Sequence, residues 1–323
     1  MSVGVLLIGG FLGAGKTTLV SRLLRDPHVG PRLAVLVNEL GPLGLDGELI
    51  RSTSETAALR TVELDNGCLC CTLKGALGDA LLELARPVSG LPPLAIIIEL
   101  SGAAIASEVH FSISAMSRDD APFHADGLVC VVDAARAPLT AAAQPDLFRD
   151  QLSRADLVLL SKLDRASDKE RAASEAIIAG LAPDARVVEC AFGEIDPQLL
   201  LGIAPAQAVE PAPRAHHHRA LTGRTVTFAG PLDEQTLERY LEDVSPSLYR
   251  IKGIVEVTSG ARVLVQCVGD QVELTEHVGA DGPARLTFIG ALHDVERSAA
   301  VEVLTRELGV PAVLVGTAPV GLP

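Results

Sequence analysis

The amino-acid sequence predicts an α/β fold: a doubly wound, mostly parallel sheet, followed along the chain by a smaller α+β domain. Short aliphatic runs recur through roughly the first two hundred residues, and Gly, Asn, Asp or Ser bounds each of them. Such runs are typical of strands that are buried on both faces of a parallel sheet. Stretches with helical periodicity separate several of these runs, which favours alternating strands and helices. The predicted strands are Val3–Ile8, Leu33–Val37, Leu94–Glu99, Gly127–Asp133, Leu157–Ser161 and Arg186–Cys190.

The chain is predicted to contain two domains joined by a linker. Apolar spacing predicts helices at Thr72–Arg86 and Asp168–Leu181 in the first domain. Residues 204–220 contain three prolines and the run His216–His218, and they have no apolar period, which is typical of an exposed linker. Because 323 residues exceed the usual size of one core, we predict a first domain at 1–203 and a second at 221–323.

The second domain is predicted to combine helices with a small sheet. An amphipathic helix is expected first, followed by four strands separated by tight turns and by a final helix. The helix spans Asp233–Val244, the strands span Ile251–Thr258, Arg262–Val268, Gln271–Glu276 and Arg285–Ile289, and the final helix runs from His293 to about Glu307.

The charge and hydropathy of the chain exclude several classes of function. The sequence has 27 basic and 41 acidic residues, a net charge of −14, and no Lys/Arg-rich stretch, so it would repel nucleic-acid phosphates. No apolar segment reaches the length needed to span a bilayer. Glycines interrupt the apolar run near the N-terminus and no basic region precedes it, so it is not a signal peptide. We therefore expect a cytoplasmic protein that binds neither nucleic acid nor membrane.

A phosphate-binding loop is predicted at Gly10–Thr17, which matches the pattern G-x-x-x-x-G-K-[ST] between a predicted strand and a predicted helix. Glycines at these spacings let backbone N–H groups point at phosphates, at the positive end of the helix that follows. Lys16 would supply a cation to the β- and γ-phosphates, and Thr17 would offer its hydroxyl to Mg²⁺. The candidate phosphate-binding residues are Gly10, Gly13, Ala14, Gly15, Lys16, Thr17 and Thr18.

Residues at later strand ends are expected to complete this site. Glu99 ends an aliphatic strand, where its carboxylate would orient a Mg²⁺-bound water, and Gly102 would let a backbone N–H approach the γ-phosphate. Lys16, Thr17 and Glu99 are thus the candidate catalytic residues. Asp133 ends the next strand and is a further candidate. The alternative for each acidic residue is a solvated carboxylate at a strand end.

A base-selecting loop is predicted at Ser161-Lys162-Leu163-Asp164, after the strand that ends at Ser161. GTPases usually have Asn-Lys-x-Asp here. Asp164 would accept hydrogen bonds from guanine N1–H and the exocyclic amine, and the stem of Lys162 would pack along the base. Adenine has no donor at N1 and would leave the carboxylate unpaired, so GTP is favoured over ATP. Ser161 stands in place of the usual Asn, so the loop is expected to lose the amide that ties it to the phosphate loop.

A cysteine cluster is a candidate metal site. Cys68, Cys70 and Cys71 place three thiols within four residues, whereas the other three cysteines are isolated in the sequence. Thiolates suit Zn²⁺ and also hold Co²⁺ or Cu⁺. Three sulfurs without a fourth cysteine indicate a site that could exchange its metal. A redox pair and buried apolar cysteines remain alternatives, although the spacing is not C-x-x-C.

Taken together, the motifs and their order resemble the CobW family of P-loop GTPases, relatives of the urease and hydrogenase nickel-insertion GTPases. Two segments of the second half, Tyr249–Gly253 and Leu286–Gly290, resemble that family's C-terminal domain, so the resemblance covers nearly the whole chain. The motifs in the first half are Gly9–Leu19, Asn38–Gly41, Asn66–Cys71, Glu99–Gly102 and Ser161–Asp164.

The resemblance implies slow GTP hydrolysis coupled to the binding and delivery of a divalent transition metal, Zn²⁺ or Co²⁺. It implies that Cys68, Cys70 and Cys71 hold the metal, and that residues 38–46 form a switch in which Glu39 and Asp46 are candidate ligands of the metal or of Mg²⁺. It also implies a client metalloprotein, which the C-terminal domain would recognise. The run His216–His218 is short compared with the His-rich tracts of some relatives.

Two other functions stay open at this point. One is a metal sensor or binding module in which nucleotide only regulates partner contacts. The other is a small-molecule kinase that uses the same phosphate loop. A monomer or a weak homo-oligomer is expected.

Overall fold

The structure is a computed structural model that describes residues 2–37, 60–63, 74–88, 90–117, 121–203, 221–277 and 284–320. Two compact units make up the chain, and each contains its own sheet. No helix in the described ranges has both the length and the apolar character that crossing a bilayer requires. The division at 1–203, 204–220 and 221–323 stays a prediction, because the linker lies outside these ranges.

The first unit is built on a seven-stranded sheet in the order β3-β2-β4-β1-β5-β6-β7, in which every neighbouring pair is parallel. Since parallel strands end at the same edge, Ile8 lies beside Glu99, and Ser161 lies between Asp133 and Cys190. Candidate site residues are thereby gathered at one edge. The strands are β1 Val3–Gly9, β2 Leu33–Val37, β3 Arg60–Glu63, β4 Ala95–Glu99, β5 Phe123–Asp133, β6 Leu157–Ser161 and β7 Arg186–Cys190.

Helices cover the aliphatic faces of this sheet. Branched side chains of β1, β4 and β5 are almost fully buried in clusters that the helices complete, as expected for strands covered on both faces. The helices are α1 Lys16–Arg25, α2 Lys74–Leu84, α3 Ala106–Met116, α4 Ala137–Ala143, α5 Pro145–Ser153 and α6 Asp168–Leu181, with 3₁₀ turns at Gly30–Arg32, Leu163–Arg165 and Pro197–Leu199.

The start of α6 shows why the sequence predicts its bounds so well. Ser167 accepts a hydrogen bond from the Glu170 N–H, and the Glu170 carboxylate accepts one from the Ser167 N–H, which is a capping box. In the second unit, Asp233 caps α7 in a similar way through the Thr236 N–H. Both helices therefore begin where a local side chain satisfies their first N–H groups.

The second unit is a six-stranded antiparallel sheet in the order β11-β10-β9-β12-β8-β13. Its core is separate from those of the first unit and joins the sheet to the helices. The elements are β8 Leu221–Phe228, α7 Glu234–Val244, a 3₁₀ turn Ser245–Ser247, β9 Arg250–Glu256, β10 Arg262–Val268, β11 Gln271–Glu276, β12 Arg285–Ala291, α8 Leu292–Ser298, α9 Val301–Leu308 and β13 Ala312–Val320.

The α/β class with a separate α+β domain is confirmed, and three strands are additions to the prediction. β3 has only four residues, and β8 and β13 are interrupted by Gly, Arg or Pro, so none shows a clean apolar run. The predicted final helix is divided, because Ala300 is extended and begins α9 anew. Alanine favours helix, so the local sequence gives no sign of this break.

Candidate nucleotide site

The phosphate loop connects β1 to α1 and approaches the neighbouring strand closely. Gly10 has a φ of 126°, and a Cβ there would lie 2.2 Å from the Val131 carbonyl oxygen, so only glycine fits. Gly13 and Gly15 also have positive φ, at 77° and 110°. Gly15 is the N-cap of α1, and no side chain among the described residues caps this helix. The first-turn N–H groups are therefore suited to an anion.

Lys16 is held inside this loop. The side chain is buried, and Nζ donates hydrogen bonds to the carbonyl oxygens of Gly10 at 2.7 Å and Phe11 at 3.0 Å. These contacts offset the cost of burying an ammonium group and place its charge where phosphate oxygens would bind. Ala14 is buried in the same loop, and Thr18 is exposed in the first turn of α1.

Thr17 and Glu99 meet at the ends of α1 and β4. The Thr17 hydroxyl donates to Glu99 Oε1 at 2.7 Å, and the Glu99 side chain is buried. A hydroxyl and a carboxylate at this spacing are the oxygen donors that Mg²⁺ prefers, so the residues present fit that ion. The structure thus brings together two of the three candidate catalytic residues, and the third, Lys16, directly precedes Thr17 in the chain.

Gly102 lies against the phosphate loop. A Cβ at this position would be 2.5 Å from the Leu12 backbone nitrogen, so the two backbones are nearly in contact. The approach is supported upstream, where the Leu100 N–H donates to the Ile8 carbonyl oxygen at 2.9 Å. Gly102 is therefore held against the loop that is predicted to bind the phosphates, and its role at the γ-phosphate stays a prediction.

Ser161 joins the base-selecting loop to the phosphate loop: the usual amide is absent, as predicted, and the hydroxyl makes a connection in its place. The buried hydroxyl lies 2.8 Å from the Ala14 carbonyl oxygen and 3.1 Å from that of Val132. A hydroxyl has one proton, so the two carbonyls share it. Serine makes the tie because β6 ends close to the phosphate loop, within reach of a short side chain.

Lys162 takes the left-handed conformation, with a φ of 55°, and its Nζ lies 3.1 Å from Asp133 Oδ2. The other oxygen of Asp133 accepts hydrogen bonds from the N–H groups of Ala135 and Arg136. Asp133 therefore belongs to the base-selecting end of the site. Asp164 lies in the 3₁₀ turn that follows, and its half-exposed carboxylate is 3.8 Å from Arg165 Nε.

One loop of this edge was not predicted from the sequence. After β7, the Glu194 N–H donates to the Ala191 carbonyl oxygen at 2.8 Å, and both intervening residues have positive φ, 50° at Phe192 and 76° at Gly193. Phe192 is 62% exposed. Because β7 pairs with β6, this loop lies beside Ser161 and the base-selecting loop. The only sequence signal is an aromatic residue directly before a glycine at a strand end.

The candidate metal ligands Cys68, Cys70, Cys71 and Glu39 lie outside the described residues, as do Asp46, the 38–46 switch and His216–His218. Within the described ranges, no group of three or more His, Cys, Asp or Glu side chains is arranged to hold a metal ion.

The three described cysteines are free and buried. Burial raises the pKa of both the Cys130 and the Cys267 thiol to about 12, so neither provides a thiolate near neutral pH. Burial also raises the pKa of Cys190.

Comparison with protein families accounts for both units. Residues 4–189 match the CobW/HypB/UreG nucleotide-binding domain, and residues 221–307 match the cobalamin synthesis protein cobW C-terminal domain. The chain belongs to the CobW/HypB/UreG family. Its first unit is accordingly a P-loop GTPase domain, as the motif order had indicated.

Individual members of the CobW/HypB/UreG family are also similar. The chain is 36% identical over 308 residues to the zinc chaperone CobW of Pseudomonas aeruginosa, covering 83% of this chain and 81% of that protein. It is 29% identical over 270 residues to the zinc chaperone YjiA of Escherichia coli, covering 78% and 81%. A crystal structure of Zn(II)-bound YjiA GTPase from E. coli aligns with a TM-score of 0.47 at 23% identity, covering 93% of this chain and 98% of the other.

Proposed function

We propose that this family member is a GTP-hydrolysing metallochaperone or metal insertase that carries Zn²⁺ or Co²⁺ to a client protein. The observation that supports the proposal most is that Lys16, Thr17 and Glu99 lie at the same edge of the sheet as the base-selecting loop. The Ser161 hydroxyl joins the two parts through Ala14. A phosphate group and a guanine base would thus be bound by elements that contact each other directly.

In the proposed hydrolysis, the protein positions the nucleotide and stabilises charge. The Lys16 ammonium would exchange its carbonyl partners for phosphate oxygens, and the Gly102 N–H would face the γ-phosphate. Mg²⁺, when bound, would neutralise charge on the phosphate oxygens, and Thr17 and Glu99 are the residues that would hold it or its water. The Glu99 carboxylate, buried beside Thr17, would keep the orientation of that hydroxyl fixed.

The selection of guanine would rest on Asp164, whose carboxylate is accessible at the edge of the sheet. Lys162, fixed by Asp133 at 3.1 Å, would present its stem to one face of the base. Adenine would leave Asp164 without its two donors, which costs more than a missing apolar contact.

The metal part of the proposal rests on Cys68, Cys70 and Cys71, with Glu39 as a further ligand. Two relatives that align with this chain over most of their own length are named zinc chaperones. A relative from Schizosaccharomyces pombe is named zinc-regulated GTPase metalloprotein activator 1. Delivery to a client through the C-terminal domain, a cytoplasmic location and a monomeric or weakly oligomeric state belong to the same proposal.

The hydrolysis is tested with the full chain, by measuring phosphate release from GTP and from ATP with Mg²⁺ present. We expect slow turnover of GTP that exceeds turnover of ATP, and a loss of about 100-fold or more in Lys16→Ala. Asp164→Ala should reduce the preference for GTP while leaving the phosphate contacts intact. Equal turnover of GTP and ATP by the natural chain would contradict the base assignment.

The metal coupling is tested by titrating Zn²⁺ and Co²⁺ with and without a non-hydrolysable GTP analogue. Because coupling between two sites is reciprocal, the analogue should tighten metal binding and the metal should tighten analogue binding. Cys70→Ser should weaken both effects. Identical metal affinities with and without the analogue would contradict the proposed coupling between nucleotide binding and metal delivery. Turnover that stays negligible with metal and client would instead favour the sensor function.

A further inference from the structure

Gln151 is a buried polar residue on the face of α5 that packs into the first unit. The other buried residues of that face are apolar, namely Leu147, Phe148 and Leu152. Gln151 is only 2% exposed. A leucine or methionine would fill such a position without the cost of burying an amide, so the hydrogen bonds of this side chain should have a structural use.

Those hydrogen bonds reach the loop that follows β4. Gln151 Nε2 donates to the carbonyl oxygen of Gly102 at 3.1 Å and to that of Ala104 at 3.2 Å. Both partners are acceptors only, so the nitrogen of the amide must face them and both of its protons are used. The loop is therefore held at two points by one side chain from a different helix.

The preceding residue of α5 makes a second attachment just downstream. The Asp150 carboxylate accepts a hydrogen bond from the Ser107 hydroxyl, and its other oxygen lies 3.4 Å from the Ser107 N–H. Ser107 is in the first turn of α3, where a negative charge is favourable. Neighbouring residues of α5 thus fix both the loop and the helix that the loop leads into.

The opposite side of the loop faces the phosphate loop. Gly102 approaches the Leu12 backbone so closely that a Cβ would be 2.5 Å from the Leu12 nitrogen. The segment 101–104 therefore lies between α5 and the phosphate loop. Within the segment, the Ala104 N–H donates to the Ser101 carbonyl oxygen at 2.9 Å, so the segment turns as a compact unit.

We propose that Gln151 is a positioning residue for hydrolysis, which holds the Gly102 N–H at the γ-phosphate through the loop after β4. The inference rests on the proposed GTP hydrolysis. Gln151 lies behind the loop and contacts its carbonyl oxygens, so it acts through Gly102. Without its two hydrogen bonds, the loop keeps its chain connections but loses the restraint that sets its distance from the phosphate loop.

The proposal separates two kinds of nucleotide. GDP is bound by the phosphate loop and the base-selecting loop and has no γ-phosphate to meet Gly102. A GTP analogue needs the loop at its correct distance. Loss of Gln151 should therefore weaken binding of the analogue and slow hydrolysis, while binding of GDP changes little.

The test compares Gln151→Met with the natural protein, because methionine fills a similar volume but donates no hydrogen bond. We expect kcat for GTP to fall about tenfold or more. The dissociation constant of a non-hydrolysable GTP analogue should rise, whereas that of GDP should stay within about twofold. Ser107→Ala removes the second attachment and should give a smaller change with the same pattern.

A matched control removes a different buried hydrogen bond. In Ser174→Ala, the buried hydroxyl of α6 that donates to the Ala134 carbonyl oxygen in the first unit is lost. This variant should be destabilised without any change in kcat or in the ratio of analogue to GDP affinity, which shows that lost stability alone does not produce the pattern.

Several outcomes would overturn the proposal. A folded Gln151→Met variant with unchanged kcat, or with equal weakening of GDP and the analogue, would make Gln151 a purely structural residue. If Gln151→Met does not fold, the same comparison in Ser107→Ala decides. If the natural chain does not hydrolyse GTP, the proposed function fails, while the two affinities still test the positioning.

Discussion

At the scale of single residues, Phe192 combines two unfavourable features. A bulky side chain at a φ of 50° is strained, and a phenyl ring that is 62% exposed gains little from burial. Such outliers concentrate at functional sites. The ring stands at the edge where Lys162 would cover one face of a base, so we expect it to stack on the nucleobase.

Replacing Phe192 should therefore change stability and binding in opposite directions. In Phe192→Asn, a residue that tolerates the left-handed conformation replaces one that does not, so the free energy of unfolding should rise by about 1 kcal/mol. The loss of stacking should weaken GDP binding by about tenfold. Chemical denaturation and fluorescence titration measure the two effects. Phe192→Tyr keeps the ring and the strain, and it should leave both quantities near their natural values.

Residue types at fixed spacing were the most predictable part of the site. The phosphate loop Gly10–Thr17 could be predicted because its residue types follow from the local backbone conformation that phosphate binding requires. The role of Ser161 could not, because its hydrogen bond joins residues that are 147 positions apart and depends on where β6 ends. Gln151 was missed for the same reason, since nothing in α5 indicates which loop its amide will meet.

At the scale of elements, α3 and β5 are joined by a buried histidine. His110 Nε2 lies 3.0 Å from the Asp126 carbonyl oxygen, so that nitrogen carries the proton. Burial is the main cause that lowers the pKa of His110, and Arg154 lowers it further, while the Asp126 backbone and Asp156 act in the opposite direction. Near neutral pH the imidazole is therefore neutral in the folded protein.

This arrangement predicts that acid weakens the first unit. The unfolded chain binds a proton at His110 below about pH 6.5, whereas the folded chain resists it, so the free energy of unfolding falls as pH decreases below that value. The pKa of nearby Asp126 is raised, mainly by burial, so its protonation at lower pH acts in the opposite direction.

The variant His110→Gln isolates the histidine, because glutamine can still donate to the Asp126 carbonyl oxygen but does not titrate. Between pH 7 and pH 5, it should lose less of its unfolding free energy than the natural protein does, as measured by urea denaturation. His293→Gln, on the exposed surface of α8, should follow the natural profile. A natural profile that is flat between these pH values would disprove the role of His110.

At the scale of the whole molecule, the two units have separate sheets and separate apolar cores. The core of the second unit draws all of its residues from 226–312, and those of the first unit draw none from there. Every residue of the candidate nucleotide site that the structure describes lies in the first unit. A bound nucleotide should therefore stabilise one unit and leave the other unchanged.

Calorimetry of the full chain tests this expectation. We expect two unfolding transitions, of which only one moves to higher temperature when GDP is added. At a free GDP concentration of 100 times its dissociation constant, the first unit should gain about 2.7 kcal/mol. Leu241→Ala, in the core of the second unit, should lower the free energy of unfolding of that unit by about 2–5 kcal/mol and so move the other transition to lower temperature. A single transition that moves as a whole would show that the units unfold together.

No side chain in the described part of the chain caps α1 at Gly15, and this has a consequence for folding. The phosphates of a nucleotide would accept hydrogen bonds from the first-turn N–H groups of α1, as Ser167 and Glu170 serve α6 from within the chain. The ligand would thus complete the helix, and binding and helix formation would become one cooperative event. Deuterium uptake at the amides of residues 16–18 should slow on nucleotide binding, so this turn would serve as a built-in reporter of occupancy.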